Sequence, residues 1–203
     1  MPRDDDASLA LAVHTHEDGA LDRLVGTFER SLFNYTQRLL LNAEDAQEVV
    51  QDTFVRAHGA LTRQYSAERC RDLATRPWLF RIARNLALNK RRGKRFEVEE
   101  PLRPEHEESL RPLEEPVTVL HDLAKREELA RLDRALALLP APSRELVFLR
   151  FIEEMSYAEI ASTVGGTEAS LRGKVFRALR LLREALESDP AGAAGGPEVT
   201  HAM

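Results

Sequence analysis

Arg172, Lys174, Arg177, Arg180 and Arg183 fall within residues 169–183, a stretch with five basic and no acidic side chains. Cations at this density neutralise phosphates, and an arginine or lysine that reaches a base edge bonds the O6 and N7 of guanine. A second cluster is larger: residues 61–96 hold eleven basic and two acidic side chains. Residues suited to bond-making chemistry are scarce by comparison. His14, His16, Glu17 and Asp18 are metal-ligating types, but they lie in an acidic stretch expected to pack little, and no partner cluster or zinc spacing occurs elsewhere in the chain. Cys70 is the only cysteine, which excludes an internal disulfide and a cysteine-built zinc site, and no histidine stands near it in sequence to activate it. The glycines of "VGGTEAS" lack the Gly-Lys-Ser/Thr ending of a phosphate loop. No catalytic residue, metal site or cofactor is therefore expected.

The two cationic clusters sit in an acidic chain, with 29 Lys+Arg against 34 Asp+Glu and a net charge of −5. Residues 1–22 carry one basic and six acidic side chains, and residues 97–122 carry two basic and nine acidic. Phosphate binding depends on the local cation density of the bound face, so the negative total does not exclude nucleic acid. The first twenty residues show no apolar signal segment, and no run of about 18 apolar residues occurs. No membrane insertion is expected, and the expected location is the cytoplasm.

Helices must position these groups. β-branched runs are rare, and glycine and proline are sparse inside the long periodic stretches, which predicts an all-α fold. Ser156 with Glu159 forms a capping box that starts a helix at Tyr157. Gly165 and Gly166 permit the positive φ that ends it, and Thr167 can cap the next. In that next helix Leu171, Val175, Ala178 and Leu182 make the packing face opposite the cations. Upstream, Leu136, Leu139, Leu146 and Leu149 pattern a supporting helix pair around "LPAPSRE", with Ser143 as a candidate cap. "NAEDAQEVVQDTFVRA" is capped by Asn42; Asp45, Glu48 and Asp52 form an acidic stripe with Gln51 beside it, while Val50, Phe54 and Ala57 face the core. "RPWLFRIARNLALNKRRGKR" has Pro77 in its first turn. Trp78, Ile82 and Leu86 pack on one side, with Arg81, Arg84, Asn85, Leu88 and Arg92 on the other. Between these helices "RQYSAERCRDLATR" reads as a polar loop, in which Tyr65 either stacks on an unstacked base or packs structurally. Glu97–Pro116, with four prolines and eight glutamates, reads as an extended linker. The expected divisions are a helical domain at 20–95, a flexible acidic linker at 96–122, a second helical domain at 123–187 and a disordered tail at 188–203.

The order of these motifs closely resembles the sigma-70 family: "AEDAQEVVQDTFVRA", then "WLFRIARNLALNKRR", an acidic linker, "LPxxxRELVFLRFxEEMSYAEIA" and a basic recognition helix. The resemblance is to the small extracytoplasmic-function (ECF) group, which keeps only sigma domains 2 and 4, and it covers about residues 20–187. It implies that Asp45, Glu48, Gln51 and Asp52 dock on the β′ clamp helices of bacterial core RNA polymerase. It also implies contact with the β flap, promoter DNA as ligand and an anti-sigma factor as regulator. By position, Tyr65, Arg84, Asn85, Asn89, Arg91 and Arg92 would recognise and melt the −10 element. Ser170, Arg172, Lys174, Arg177 and Arg180 would read the −35 element. The resemblance assigns the chemistry to the polymerase, not to this chain. Two residues depart from the family pattern: Gly166 where an apolar residue is usual, and Gly173 where serine is usual. The loop before Pro77 is also longer than typical.

On the residues alone two rivals stay open. A stand-alone helix-turn-helix regulator explains residues 156–183 but not the second basic cluster or the linker. The other is a purely protein-binding helical scaffold, against which the effect of neutralising Arg172, Lys174 and Arg177 would decide.

Overall fold

A computed structural model of the chain describes residues 4–97, 131, 132 and 134–188, with side chains from residue 8 to 93 in the first stretch. The expected tail, apart from Ser188, and nearly all of the expected linker lie outside these residues. Among the described residues every regular element is a helix. They are α1 (Asp4–His14), α2 (Ala20–Leu40), α3 (Ala43–Arg63), α4 (Ala67–Arg71), α5 (Thr75–Glu97), α6 (Ala141–Val147), α7 (Tyr157–Val164) and α8 (Glu168–Ser188). Residues 131, 132 and 134–138 are also helical, and a π-helical turn, Phe148–Ile152, continues α6.

The chain divides into two compact units, one drawn from Met1–Glu107 and Phe148–Arg172, the other from Glu108–Val147 and Gly173–Met203. In the first, α2, α3 and α5 pack pairwise. Ala20, Leu24, Phe28 and Leu32 recur at four-residue spacing and are buried, so one side of α2 is apolar over its first three turns. Opposite it α3 buries Val49, Val50, Phe54, Ala57 and Leu61, and α5 buries Leu79, Phe80, Ala83 and Ala87. Buried threonines satisfy themselves within their own helices: Thr36 Oγ1 donates to the Leu32 carbonyl at 2.8 Å and Thr53 Oγ1 to that of Val49 at 2.7 Å. Leu41 ends α2 in the left-handed conformation, its amide bonded to the Gln37 carbonyl, and Asn42 then caps α3 by accepting from the Asp45 amide.

Three expectations need correction. "RQYSAERCRDLATR" is not all loop. Ser66 accepts from the Arg69 amide and nucleates α4, which buries Cys70 completely. Burial pushes that thiol up against the lowering effect of Arg69, so it is held as an inert thiol. Ser143 lies inside the first turn of α6 instead of capping it, and Leu149 falls in the π-helical turn. The stretch around His14, expected to pack little, is held by α1, which contacts α2, α3 and α4. Val13 is buried, and His14 Nδ1 lies 2.8 Å from the Leu61 carbonyl.

The remainder of the first unit carries α7 and the start of α8. The capping box is present as expected, with Ser156 Oγ accepting from the Glu159 amide while the Glu159 carboxylate accepts from the Ser156 amide. Gly165 and Gly166 adopt φ of +82° and +95°, and Thr167 Oγ1 accepts from the Ser170 amide. In the second unit Ala135, Leu139, Val147, Ala178 and Leu182 form one apolar cluster. Arg144 donates to the carbonyls of Ala137 and Leu139 and so closes the turn before α6.

Three substitutions test the stability consequences of this geometry. Gly165→Ala forces a side chain into a backbone region reserved for glycine and should cost about 1–3 kcal/mol. Gly59→Ala, in mid-helix with open space around it, should instead gain about 0.5–1 kcal/mol. Tyr65 OH accepts from Trp78 Nε1 at 3.2 Å, so Tyr65→Phe should cost about 1 kcal/mol. Urea unfolding followed through Trp78, the only tryptophan, measures all three.

Candidate nucleic-acid interface

α8 is built as an amphipathic rod. Leu171, Val175 and Ala178 are 1–2% exposed, while Ser170, Arg172, Lys174, Arg177, Arg180 and Arg183 are all exposed. The charges are not equivalent. Arg180 pairs with Glu184 at 3.7 Å and Arg183 with Glu187 at 2.7 Å, one helical turn on. The hydrogen bond to Glu187 holds Arg183 above its ordinary range. Arg172, Lys174 and Arg177 make no ion pair among the described residues. Arg172 lies over the Tyr157 ring at 5.1 Å, which orients its guanidinium beside the turn between α7 and α8. The free cationic density is therefore concentrated in the first half of α8, where a helix entering a major groove meets base edges. A methyl group on Gly173 would lie 3.8 Å from Arg177 Nη1, an ordinary contact, so packing does not require glycine there.

The same face holds a residue that pattern reading passed over. Phe176 is 72% exposed in the middle of the cations. Its signal was available in the sequence, since it breaks the 3–4 spacing of Leu171, Val175, Ala178 and Leu182.

α5 carries the second cluster. Trp78, Leu79, Phe80, Ala83, Leu86 and Ala87 are buried; Arg81, Asn85, Asn89, Arg91 and Arg92 are exposed, and Arg84 is half-buried. Tyr65 is half-buried beside the first turn of this helix. Its ring lies 5.8 Å from that of Trp78 and beneath the Arg69 guanidinium at 3.8 Å. The structure thus brings Tyr65 to the α5 N-terminus, while Asn89, Arg91 and Arg92 stand three to four turns further along.

The acidic stripe on α3 is outward, with Glu48, Gln51 and Asp52 exposed and Asp45 half-buried. Lys90, counted in the sequence among the DNA-side cations, turns to this stripe instead. Its Nζ lies 2.6 Å from Glu48 Oε2 and 3.5 Å from Asp45 Oδ1. The hydrogen bond to Glu48 is the main reason that the Lys90 ammonium is held above its ordinary range, against desolvation. No local spacing could have disclosed this pairing, because the partners lie on different helices far apart in sequence. One lysine therefore joins the acidic face of α3 to the cationic face of α5.

Comparison with known proteins places this arrangement. The family description "Sigma-70 region 2" matches residues 24–97, and "Sigma-70, region 4" matches residues 129–182. The RNA polymerase sigma factor CnrH of Cupriavidus metallidurans is 32% identical over 195 residues, covering 93% of this chain and 97% of that protein. The ECF RNA polymerase sigma factor SigE of Mycolicibacterium smegmatis is 30% identical over 192 residues, 91% of this chain and 70% of the relative. Among solved structures, CnrH in complex with the cytosolic domain of CnrY aligns with a TM-score of 0.63 at 28% identity, over 91% of this chain and 98% of that one. The sigma factor RpoE of Bartonella quintana, in complex with the anti-sigma factor NepR, shares the fold with a TM-score of 0.63 at 22% identity, over 84% of this chain and 99% of that one. With both sigma regions in order and CnrH matched along nearly its whole length, the chain belongs to the sigma-70 family in its ECF group, whose members bind core RNA polymerase and direct initiation at promoters through −35 and −10 elements.

Proposed function

We propose that this initiation activity is divided among three surfaces on two domains. Residues 20–95 act as sigma region 2, residues 123–187 as sigma region 4, and the acidic segment 96–122 connects them along the polymerase. Asp45, Glu48, Gln51 and Asp52 dock on the β′ clamp helices, and region 4 meets the β flap. Tyr65, Arg84, Asn85, Asn89, Arg91 and Arg92 serve the −10 element. Ser170, Arg172, Lys174, Arg177 and Arg180 serve the −35 element. The observation that supports this division best is the segregation of charge: exposed carboxylates on α3, exposed cations on α5 and α8.

Phe176 joins the −35 group. An exposed aromatic ring between guanidinium groups suits a thymine methyl, which offers an apolar contact in the major groove. The chain supplies no catalytic group of its own, and the polymerase makes the phosphodiester bonds. An anti-sigma factor is a further partner, a reading supported by the likeness to CnrH, whose solved structure holds the cytosolic domain of CnrY. A cytoplasmic location follows from this role, and among the described residues no helix is long and apolar enough to cross a membrane.

The division is tested with two double variants. Asp45→Lys with Asp52→Lys should abolish binding to core polymerase while helical content is kept. Arg172→Ala with Lys174→Ala should leave polymerase binding intact and weaken promoter use by about 1–3 kcal/mol for each lost bidentate base contact. Polymerase pull-down and abortive-initiation assays separate the two. Equal losses of polymerase affinity in both variants would contradict the division.

A further inference from the structure

Three residues on or beside α3 are unfavourable in ways that nothing within the chain offsets. Leu41, just before the Asn42 cap, sits at φ +56°, in the left-handed region where a residue other than glycine is uncommon. It is also 80% exposed. An apolar residue in that position ordinarily staples onto the first turns of the helix that follows. Leu39 and Leu40 pack against Val49, Leu86 and Ala87, whereas Leu41 stays in water. Val55, in mid-helix, is 70% exposed. Gly59 lies inside the same helix, where glycine is unfavourable, and a Cβ there would meet nothing within 4 Å. Packing within the chain therefore does not call for glycine at 59.

The three share a location. At about 100° per residue, Glu48, Gln51, Asp52, Val55 and Gly59 fall within an arc of roughly 100° on α3. Leu41 stands at the N-terminal end of that stripe. Carboxylates occupy its middle, with an exposed leucine before them and an exposed valine and a bare turn after them. From Ala43 to Gly59 the helix runs for about 24 Å.

Charge alone gives this stripe little holding power. Lys90 already engages Glu48 and Asp45, Gln51 is neutral, and ion pairs between exposed side chains contribute little. Complementary charge steers the encounter and sets register, while apolar side chains buried at close range slow dissociation. A second copy of the chain is a poor occupant, because its stripe would set carboxylates against carboxylates. A cationic, elongated partner surface with apolar groups toward both ends fits.

We propose that Leu41, Val55 and Gly59 are the anchoring contacts of α3 for core polymerase. Leu41 and Val55 are buried by apolar groups of the polymerase, and the bare backbone at Gly59 lets that surface approach the helix closely. This rests on the docking role proposed for Asp45, Glu48, Gln51 and Asp52, and adds the residues that hold what the carboxylates attract. It accounts for a strained leucine, a solvated valine and a mid-helix glycine on one side of the molecule, since local rules of stability give way at functional sites.

The test makes two measurements on full-length Leu41→Gly, Val55→Ala and Gly59→Ala. Free chains are unfolded in urea, and affinity for core polymerase is read by competition with the labelled unaltered chain. Leu41→Gly and Gly59→Ala should raise the urea midpoint, and Val55→Ala should not lower it. Each should weaken polymerase affinity several-fold, and the triple variant more than any single one. A purely structural role would not move the two readouts in opposite directions. Unchanged affinity in the triple variant would overturn the proposal. So would a urea midpoint lowered by Leu41→Gly or Gly59→Ala, which would show that these residues serve the fold. Asp45→Lys with Asp52→Lys separates the anchors from the docking role beneath them. Binding lost there but full in the triple variant overturns the anchors alone; full binding in both overturns the docking face as well.

Discussion

Burial of one side of α5 is the constraint on which the rest of this molecule turns. Trp78, Leu79, Phe80, Ala83, Leu86 and Ala87 are removed from water against α2 and α3, each large side chain contributing on the order of 1.5–3 kcal/mol. That burial fixes the rotation of the helix, and rotation decides where its cations go. With the apolar side inward, Arg81, Asn85, Asn89, Arg91 and Arg92 must face outward. Lys90 falls between the two sides, close enough to α3 to bind Glu48 and Asp45. The Trp78–Tyr65 pair ties the preceding loop to the same rotation. A single packing decision therefore places the −10 candidates and braces the acidic stripe proposed to meet the polymerase.

The distribution of charge follows the same logic and explains how a chain of net charge −5 can be a promoter reader. Cations are densest in two stretches, residues 61–96 and 169–183, while carboxylates line one exposed side of α3 and dominate residues 97–122. Neither basic face alone offers many phosphate contacts. On the proposed division the polymerase joins them as two halves of one grip, so the second contact forms at a high effective concentration. On the proposed division, dependence on the polymerase is a consequence of modest patches, and selectivity at the −35 element rests on a few base contacts in the first half of α8.

Much of this was legible in the sequence because it is local. The Ser156–Glu159 capping box, the Asn42 cap, the glycine stop at Gly165 and the packing faces of α3, α5 and α8 depend on residues within a turn or two of one another. The features that escaped are non-local or depend on context. α4 is five residues long, too short for periodicity to reveal, and only its Ser66 cap marks it. Lys90 looks like any other member of a basic run until α5 is laid against α3. Phe176 was hidden by counting only charges on its face. The ion pair between Arg76 Nη2 and Glu153 Oε2, at 2.5 Å, joins segments that the domain reading had separated. Local rules found the elements, and tertiary packing chose the partners.

The central claim is that this chain directs polymerase to a defined class of promoters, and one measurement reaches it directly. The purified chain is mixed with bacterial core RNA polymerase on sheared DNA of its own genome, and the 5′ ends of the transcripts are sequenced. The account predicts new starts, absent with core enzyme alone, downstream of one shared pair of motifs separated by roughly one and a half to two helical turns. Folded protein that yields no new starts, or starts without a shared upstream pair, would contradict it.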